Sequence, residues 1–439
     1  MTDPTPPTGS RASRASLPLF VAAEAFSLFG NSAIAIVLPW LVLTRTGDPA
    51  VTGLVAAVAA LPAIAAALVG GWLIDKVGQR RMSVLSDLGS AVSVAALAVV
   101  DRVFGLDLGW FIALGILGAL FDVPGMTARE TLMGRVARTS GVTLDKIASL
   151  RQAVFSLAFL GGPALAGVLL AVLDPIQVVW VTAGCSLAAG LCMLVLPLTA
   201  PEVAPADSAG IGGVGTIRGS APLRAMLVIG FGSAAVVAPL LGVLLPAHFN
   251  RLDEPTWFGF TMSAFAVGSM IGAILYAVVA ARSRRVVWVG GLLLQTVGMI
   301  GVTTLHGVWP VAVGAALVGV GSGLLSPVFL VFFTEQVAES VRGRVLGLFN
   351  ALALIASPLG LGAVALALSV TTLEATATWL LAAWVLVMAY AFGSRGMRAF
   401  AQQPPPPDLS ASVAAATTTE SDEPAESDEP AGSATRADH

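Results

Sequence analysis

The chain has 439 residues, of which 56% are apolar and only 11% charged. A soluble protein carries about a quarter charged residues, so this composition excludes an ordinary soluble domain and points to many apolar helices in a bilayer. The net charge of −3 decides little, because in a membrane protein the placement of charge matters more than its sum.

Residues 1–17 are polar and rich in Pro, Ser and Thr, and read as a disordered cytoplasmic tail. No cleavable signal is expected, since the first apolar run is too long for a signal core and leads straight into a second. Six apolar stretches follow, at 18–43, 51–74, 82–100, 109–128, 148–172 and 176–198. After a linker at 199–223 come six more, at 224–247, 257–281, 286–305, 309–334, 346–370 and 376–392. Each is close to the roughly 20 residues that a bilayer core requires. The fold expected is therefore an all-α polytopic membrane protein with 12 transmembrane helices in two six-helix bundles, 18–198 and 224–392.

Arg and Lys set the orientation. With the N-terminus in the cytoplasm, 20 of the 23 bases fall inside, and only Arg45, Arg102 and Arg251 fall outside. Both termini are thus expected to be cytoplasmic. The linker contains Gly210-Ile211-Gly212-Gly213-Val214-Gly215, but no strand precedes this G-x-G-x-x-G and membrane spans flank it, so it reads as a tether. Residues 393–439, with four prolines at 404–407 and a repeated Glu-Ser-Asp-Glu-Pro-Ala, read as a disordered acidic cytoplasmic tail. Cys185 and Cys192, seven apart on one helix, are about 10 Å apart and not expected to pair.

The halves echo each other. Pro39 matches Pro246, Pro124 matches Pro327, and the Gly162-Pro163 region matches Ser357-Pro358 in the same order. Repeats of this kind put a substrate site near the midplane between the halves. Asn31, Trp40, Phe231, Phe265, Gln295 and Asn350 are the candidate cavity liners.

Charges inside spans are costly, which makes them candidates for function. Glu24 shares one face of helix 1 with Ser27, Leu28 and Asn31, a face that lines either a cavity or another helix. A carboxyl in a low-dielectric setting can take up and release a proton as its surroundings alternate between wet and dry. Glu24 is the first candidate for proton coupling and Asp122, beside the helix-bending Pro124, the second. Arg151 is the third member of this set, and an Asp122–Arg151 ion pair is the structural alternative. Asp87 is expected to brace the basic loop before helix 3.

That loop reads Gly71-Trp72-Leu73-Ile74-Asp75-Lys76-Val77-Gly78-Gln79-Arg80-Arg81. It resembles the helix 2–3 loop of the major facilitator superfamily of secondary transporters, G-x-L-a-D-R-x-G-R-[RK], with Lys76 and Gln79 as departures. The resemblance implies a gating role for Gly71, Asp75, Lys76, Gly78, Arg80 and Arg81, with Asp75 meeting the start of helix 11. Gly162, Pro163 and Gly167 on helix 5 resemble the drug/proton antiporter motif g-x-x-x-G-P-x-x-G-G; a plain packing seam is the other reading. With Arg342-Gly343-Arg344-Val345 before helix 11, the chain resembles the branch that holds macrolide-type and siderophore exporters.

The resemblance implies proton-coupled efflux of small hydrophobic or amphipathic molecules by alternating access. An uptake permease or proton symporter on the same fold, and a non-transporting sensor or scaffold, stay open as alternatives. No enzyme activity, metal site or cofactor is expected, with the proton gradient as the energy source. The expected setting is a multi-pass plasma membrane monomer whose partners are its small-molecule substrate and the lipid bilayer, not nucleic acid. No G-x-x-x-x-G-K-[ST] is present to bind a nucleotide.

Overall fold

An apolar stretch in a bilayer must satisfy every backbone polar group within itself, and a helix does so. The computed structural model describes residues 11–198, 220–279, 283–337 and 339–394. Among these are α1 (Arg11–Thr46), α2 (Pro49–Val77), α3 (Gln79–Val103), α4 (Leu108–Ser140), α5 (Leu144–Val172) and α6 (Pro175–Val195). In the second half, Ala221–Pro239, a π-helical turn Leu240–Leu244 and Leu245–Arg251 stack as one span, here α7. Then come α8 (Pro255–Val279), α9 (Arg284–Thr303), α10 (Trp309–Gln336), α11 (Glu339–Val370) and α12 (Leu373–Gly393). All 12 are long and apolar enough to cross a membrane, and no strand occurs among the described residues. α1 begins at Arg11, inside the stretch read as an N-terminal tail. The Gly-rich linker motif and the acidic tail lie outside the described residues.

Short polar caps end the helices. Asp48 accepts from the Ala50 N–H at 2.8 Å, with Pro49 in the first turn of α2. Asp107 caps α4 through the Trp110 N–H at 2.9 Å. Between α2 and α3 a single residue, Gly78, leaves the helical path at φ +92°, a conformation that a Cβ would strain. Gly78 thus makes the tight turn between the two helices. The π turn in α7 lies between Pro239 and Pro246; Pro246 lacks an N–H and crowds the preceding turn, and the wider turn absorbs that misfit.

The helix neighbours repeat between halves. α1–α5, α1–α6, α3–α4, α3–α6 and α2–α4 pack together, and so do α7–α11, α7–α12, α9–α10, α9–α12 and α8–α10. The halves meet through α5 against α8 and α2 against α11, which the same two-fold exchanges. Close approach needs small residues. Gly167 brings α5 against α8, where an added Cβ would meet the Pro255 carbonyl at 2.8 Å and Gly259 Cα at 2.9 Å. Gly53 brings α2 to Ala365 of α11, with 3.0 Å to its Cβ.

One end of the molecule carries Lys76, Arg80, Arg81, Arg135, Arg138 and Lys146; we refer to it as the basic end. At the opposite end the halves close over buried rings. Trp40 of α1 stacks on Phe258 of α8 at 6.2 Å, and Phe258 meets Phe249 of α7 at 6.3 Å. Trp40, read from sequence as a cavity liner, is part of this closure and is 3% exposed.

Candidate coupling site

Four helices of the first half converge on one charged cluster. Glu24 lies on α1, Asp87 on α3, Arg129 and Glu130 on α4, and Arg151 on α5. Counting back from the opposite end at 1.5 Å per residue, Glu24, Asp87, Arg129 and Arg151 lie about 24–33 Å deep. A bilayer core is about 30 Å thick, so the cluster sits toward its basic-end boundary.

Arg129 is 3% exposed and serves two carboxylates. One of its terminal nitrogens donates to Asp87 Oδ1 at 2.9 Å, and its Nε lies 3.6 Å from Glu24 Oε1. Glu24 Oε1 also lies 3.5 Å from Arg151 Nε, and Arg151 reaches Glu130 Oε1 at 3.2 Å. Glu24 is therefore held between two guanidinium groups at distances too long for hydrogen bonds. Glu24 Oε1 and Arg151 Nε are buried without hydrogen-bond partners. Side-chain exposure falls along the cluster from 53% at Glu130 to 19% at Arg151 and 2% at Glu24.

The sequence-derived candidates are redistributed by these contacts. The Glu24–Ser27 face turns into the bundle, with Glu24 at 1% and Ser27 at 4% exposure, and not onto an open cavity. No Asp122–Arg151 pair forms: Asp122 Oδ1 accepts from Ser90 Oγ at 2.9 Å, while Arg151 binds Glu24 and Glu130. Asp87 does not brace the basic loop but pairs with Arg129. Arg129 was counted among cytoplasmic bases and missed as a member of the cluster. Its signal was its position seven residues after Asp122, on the same helix face. A second missed signal is the series Ser83, Ser86, Ser90 and Ser93, all buried on one face of α3; Ser86 donates to the Phe121 carbonyl of α4.

In the basic loop, Arg80 donates from Nε to the Met193 carbonyl at 3.1 Å and also to the Leu194 carbonyl. It thereby ties α3 to the carbonyl-rich end of α6, where a cation is favoured. Lys76 and Arg81 are exposed. Gly71, Asp75 and Asn350 lie in helices, but their surroundings, and so the Asp75 contact to helix 11, fall outside the described residues. Gly162 faces Ser32 of α1, while Pro163 and Gly167 face Gly259 of α8 at the seam between the halves. Just after Pro163, the Ala164 N–H donates to Ser263 Oγ of α8 at 3.0 Å, a hydrogen bond between the halves. Asn31, Phe231 and Phe265 are half-buried, and Gln295 is buried at 5% in the second half. Cys185 and Cys192 are both free thiols. No group of three metal-binding side chains occurs among the described residues.

The Major Facilitator Superfamily model matches residues 20–350. The multidrug efflux pump Tap of Mycolicibacterium fortuitum is 34% identical over 345 residues, covering 76% of this chain and 84% of that protein. Macrolide efflux protein A of Streptococcus pyogenes is 23% identical over 361 residues, covering 77% of this chain and 86% of that protein. Among solved structures, the nucleoside transporter NupG superposes with a TM-score of 0.70 over 88% of this chain and 99% of that one, at 13% identity. That likeness concerns the fold alone.

Proposed function

The chain belongs to the Major Facilitator Superfamily and is a multi-pass plasma membrane transporter, and we propose that it exports small amphipathic molecules in exchange for protons. The relatives named as multidrug and macrolide efflux proteins support export over uptake. The charge bias supports a cytoplasmic basic end, which makes the Trp40–Phe258 closure the outer gate.

The observation that carries the coupling role is Glu24, buried at 1% exposure between Arg129 and Arg151 with an oxygen lacking any hydrogen bond. A carboxylate in that position is held by charge alone. At an effective dielectric of about 20, each pair contributes about 4 kcal/mol of attraction, offset by the cost of keeping the charges from water. Protonation of Glu24 removes its attraction for both guanidinium groups at once. Arg151 is then free to shift toward exposed Glu130, and Arg129 is left to Asp87. Because α1, α4 and α5 each supply one partner, a proton on Glu24 changes how three helices hold together. Exposure rises from Glu24 past Arg151 to Glu130, so a proton released by Glu24 leaves toward the water at the basic end, while Arg151 keeps its own proton. Asp122, bonded to Ser90 beside Pro124, is the second carboxyl in this scheme and acts on the bend of α4.

The test is accumulation of a panel of dyes and antibiotics in an efflux-deficient bacterial host, with and without a protonophore. The intact protein is expected to lower accumulation of some compounds at least fivefold. The protonophore and Glu24→Gln should each abolish that effect. Efflux that survives Glu24→Gln with the protein present in the membrane would remove Glu24 from coupling.

A further inference from the structure

The second half contains a pocket of about 270 Å³ bounded by α7, α9, α10 and α11. These helices are the counterparts of α1, α3, α4 and α5, which hold the charged cluster in the first half. The proline landmarks put the two places in register. Glu24 lies 15 residues before Pro39, and Gly230 and Ser233 of the pocket lie 16 and 13 before Pro246. Arg151 lies 12 before Pro163, and Phe349 lies nine before Pro358. Arg129 lies five after Pro124, and Phe329 two after Pro327. Each offset agrees within one helical turn. The same corner of the bundle is thus filled by an ion network in one half and left as a neutral pocket in the other.

Among the described residues, no acid or base lines this pocket. Its wall is an aromatic pair, Phe329 and Phe349, with ring centroids 5.8 Å apart and planes tilted by 40°. Gln295, 5% exposed, lines it deeper in, and Ser326 is exposed at its edge. The Gln295 amide nitrogen donates to Ser322 Oγ at 2.7 Å, which leaves its carbonyl oxygen buried with no partner. A buried acceptor without a donor is costly to keep unless something completes it. An occupant of the pocket whose donor reaches that oxygen completes it while the amide nitrogen keeps its bond to Ser322.

We propose that this corner binds one neutral aromatic ring system of the exported molecule, with a hydroxyl or amide N–H on the ring donating to Gln295. The proposal rests on the export reading for the source of the ligand, and on the pocket for its chemistry. A formal charge would enter without a counter-ion, so a permanent cation is disfavoured here. At about 270 Å³ the space is slightly below the roughly 300–1,000 Å³ of sites that enclose a whole drug-sized ligand, and so takes one ring system rather than an entire molecule. The two halves then divide the labour: the first handles the proton and the second grips the cargo.

The test is calorimetric binding of 1-naphthol and 1-methoxynaphthalene to the full chain in lipid nanodiscs, with empty discs subtracted. The two probes share a ring and differ in the donor. The expected result is about tenfold tighter binding of 1-naphthol. Gln295→Leu should erase that difference, and Ser326→Leu, which fills the edge of the pocket, should remove binding of both. Equal affinity for the two probes, or a preference that survives Gln295→Leu, overturns the proposal. Should Gln295→Leu fail to fold, Ser326→Leu at its exposed position decides, and unchanged 1-naphthol binding to it is equally contrary. Naphthol selectivity in a protein that effluxes no compound from cells would count against export while leaving the pocket standing.

Discussion

Arg129 holds two buried carboxylates, and its removal would leave both without their shared partner. Breaking a buried charge cluster by deleting one member costs about 3–5 kcal/mol, because the remaining charges stay dry and unpaired. Arg129→Leu should therefore lower the thermal unfolding temperature of the purified protein markedly. Adding Asp87→Asn should recover part of that loss, since it removes the carboxylate bonded at 2.9 Å. Strictly additive losses in the two changes would argue against a shared network. At this scale the sequence was legible in part. Glu24 and Asp87 stood out because charges inside apolar spans are rare, whereas Arg129 sat near a predicted span end and looked like an ordinary cytoplasmic base. α4 runs on to Ser140, so the arginine is enclosed by helix on both sides. The partner choices were not legible: whether Arg151 meets Asp122 or Glu24 depends on helix rotation, which composition does not fix.

Helices in a bilayer gain little from burying apolar surface against each other, so their seams depend on close packing. The α5–α8 seam joins Pro163 and Gly167 to Gly259 and Ser263, with a backbone-to-hydroxyl bond across the halves. Gly259→Val should push α5 and α8 apart, because a Cβ there collides with the Pro163 carbonyl and Gly167. Overpacking of this kind costs about 1–3 kcal/mol, and the proposed rocking of the halves would move them across this seam, so efflux should slow at least fivefold in protein that still reaches the membrane. Ser263→Ala should cost only about 1 kcal/mol in unfolding measurements, the value of one hydrogen bond. Efflux of Gly259→Val at the native rate would show that the seam tolerates separation. Reading Gly162, Pro163 and Gly167 as a packing motif was possible from residue size alone. The α8 partner of Pro163 and Gly167 was not, because nothing local in the sequence says which distant helix a small-residue face will meet. The single-residue turn at Gly78 was legible because only a flexible residue suits φ +92° between two helices.

At the scale of the molecule, two bundles with the same helix neighbours have diverged in content. The first half concentrates its buried polar residues in Glu24, Asp87, Arg129 and the α3 serines. In the second half, glycine seams dominate, as where Gly268 and Gly272 of α8 pack on Ala316 and Val320 of α10, and Gly319 and Gly323 of α10 pack on Phe265 and Ser269 of α8. The span count and the duplication were readable, since long apolar runs and ordered proline landmarks survive divergence. The aromatic closure of Trp40, Phe249 and Phe258 was not, because it joins residues of both halves that only the folded arrangement brings together. With the halves packed over that closure, the proposed protonation of Glu24 would loosen α1, α4 and α5 at the basic end.

The measurement that tests this account most directly is transport in proteoliposomes oriented with the basic end outward and the lumen made acidic. The account predicts that a compound found to be effluxed from cells accumulates in the lumen only while the pH gradient lasts, with protons leaving as it enters. Glu24→Gln should abolish both fluxes together. Accumulation that is indifferent to the gradient, or compound and protons moving in the same direction, would contradict it.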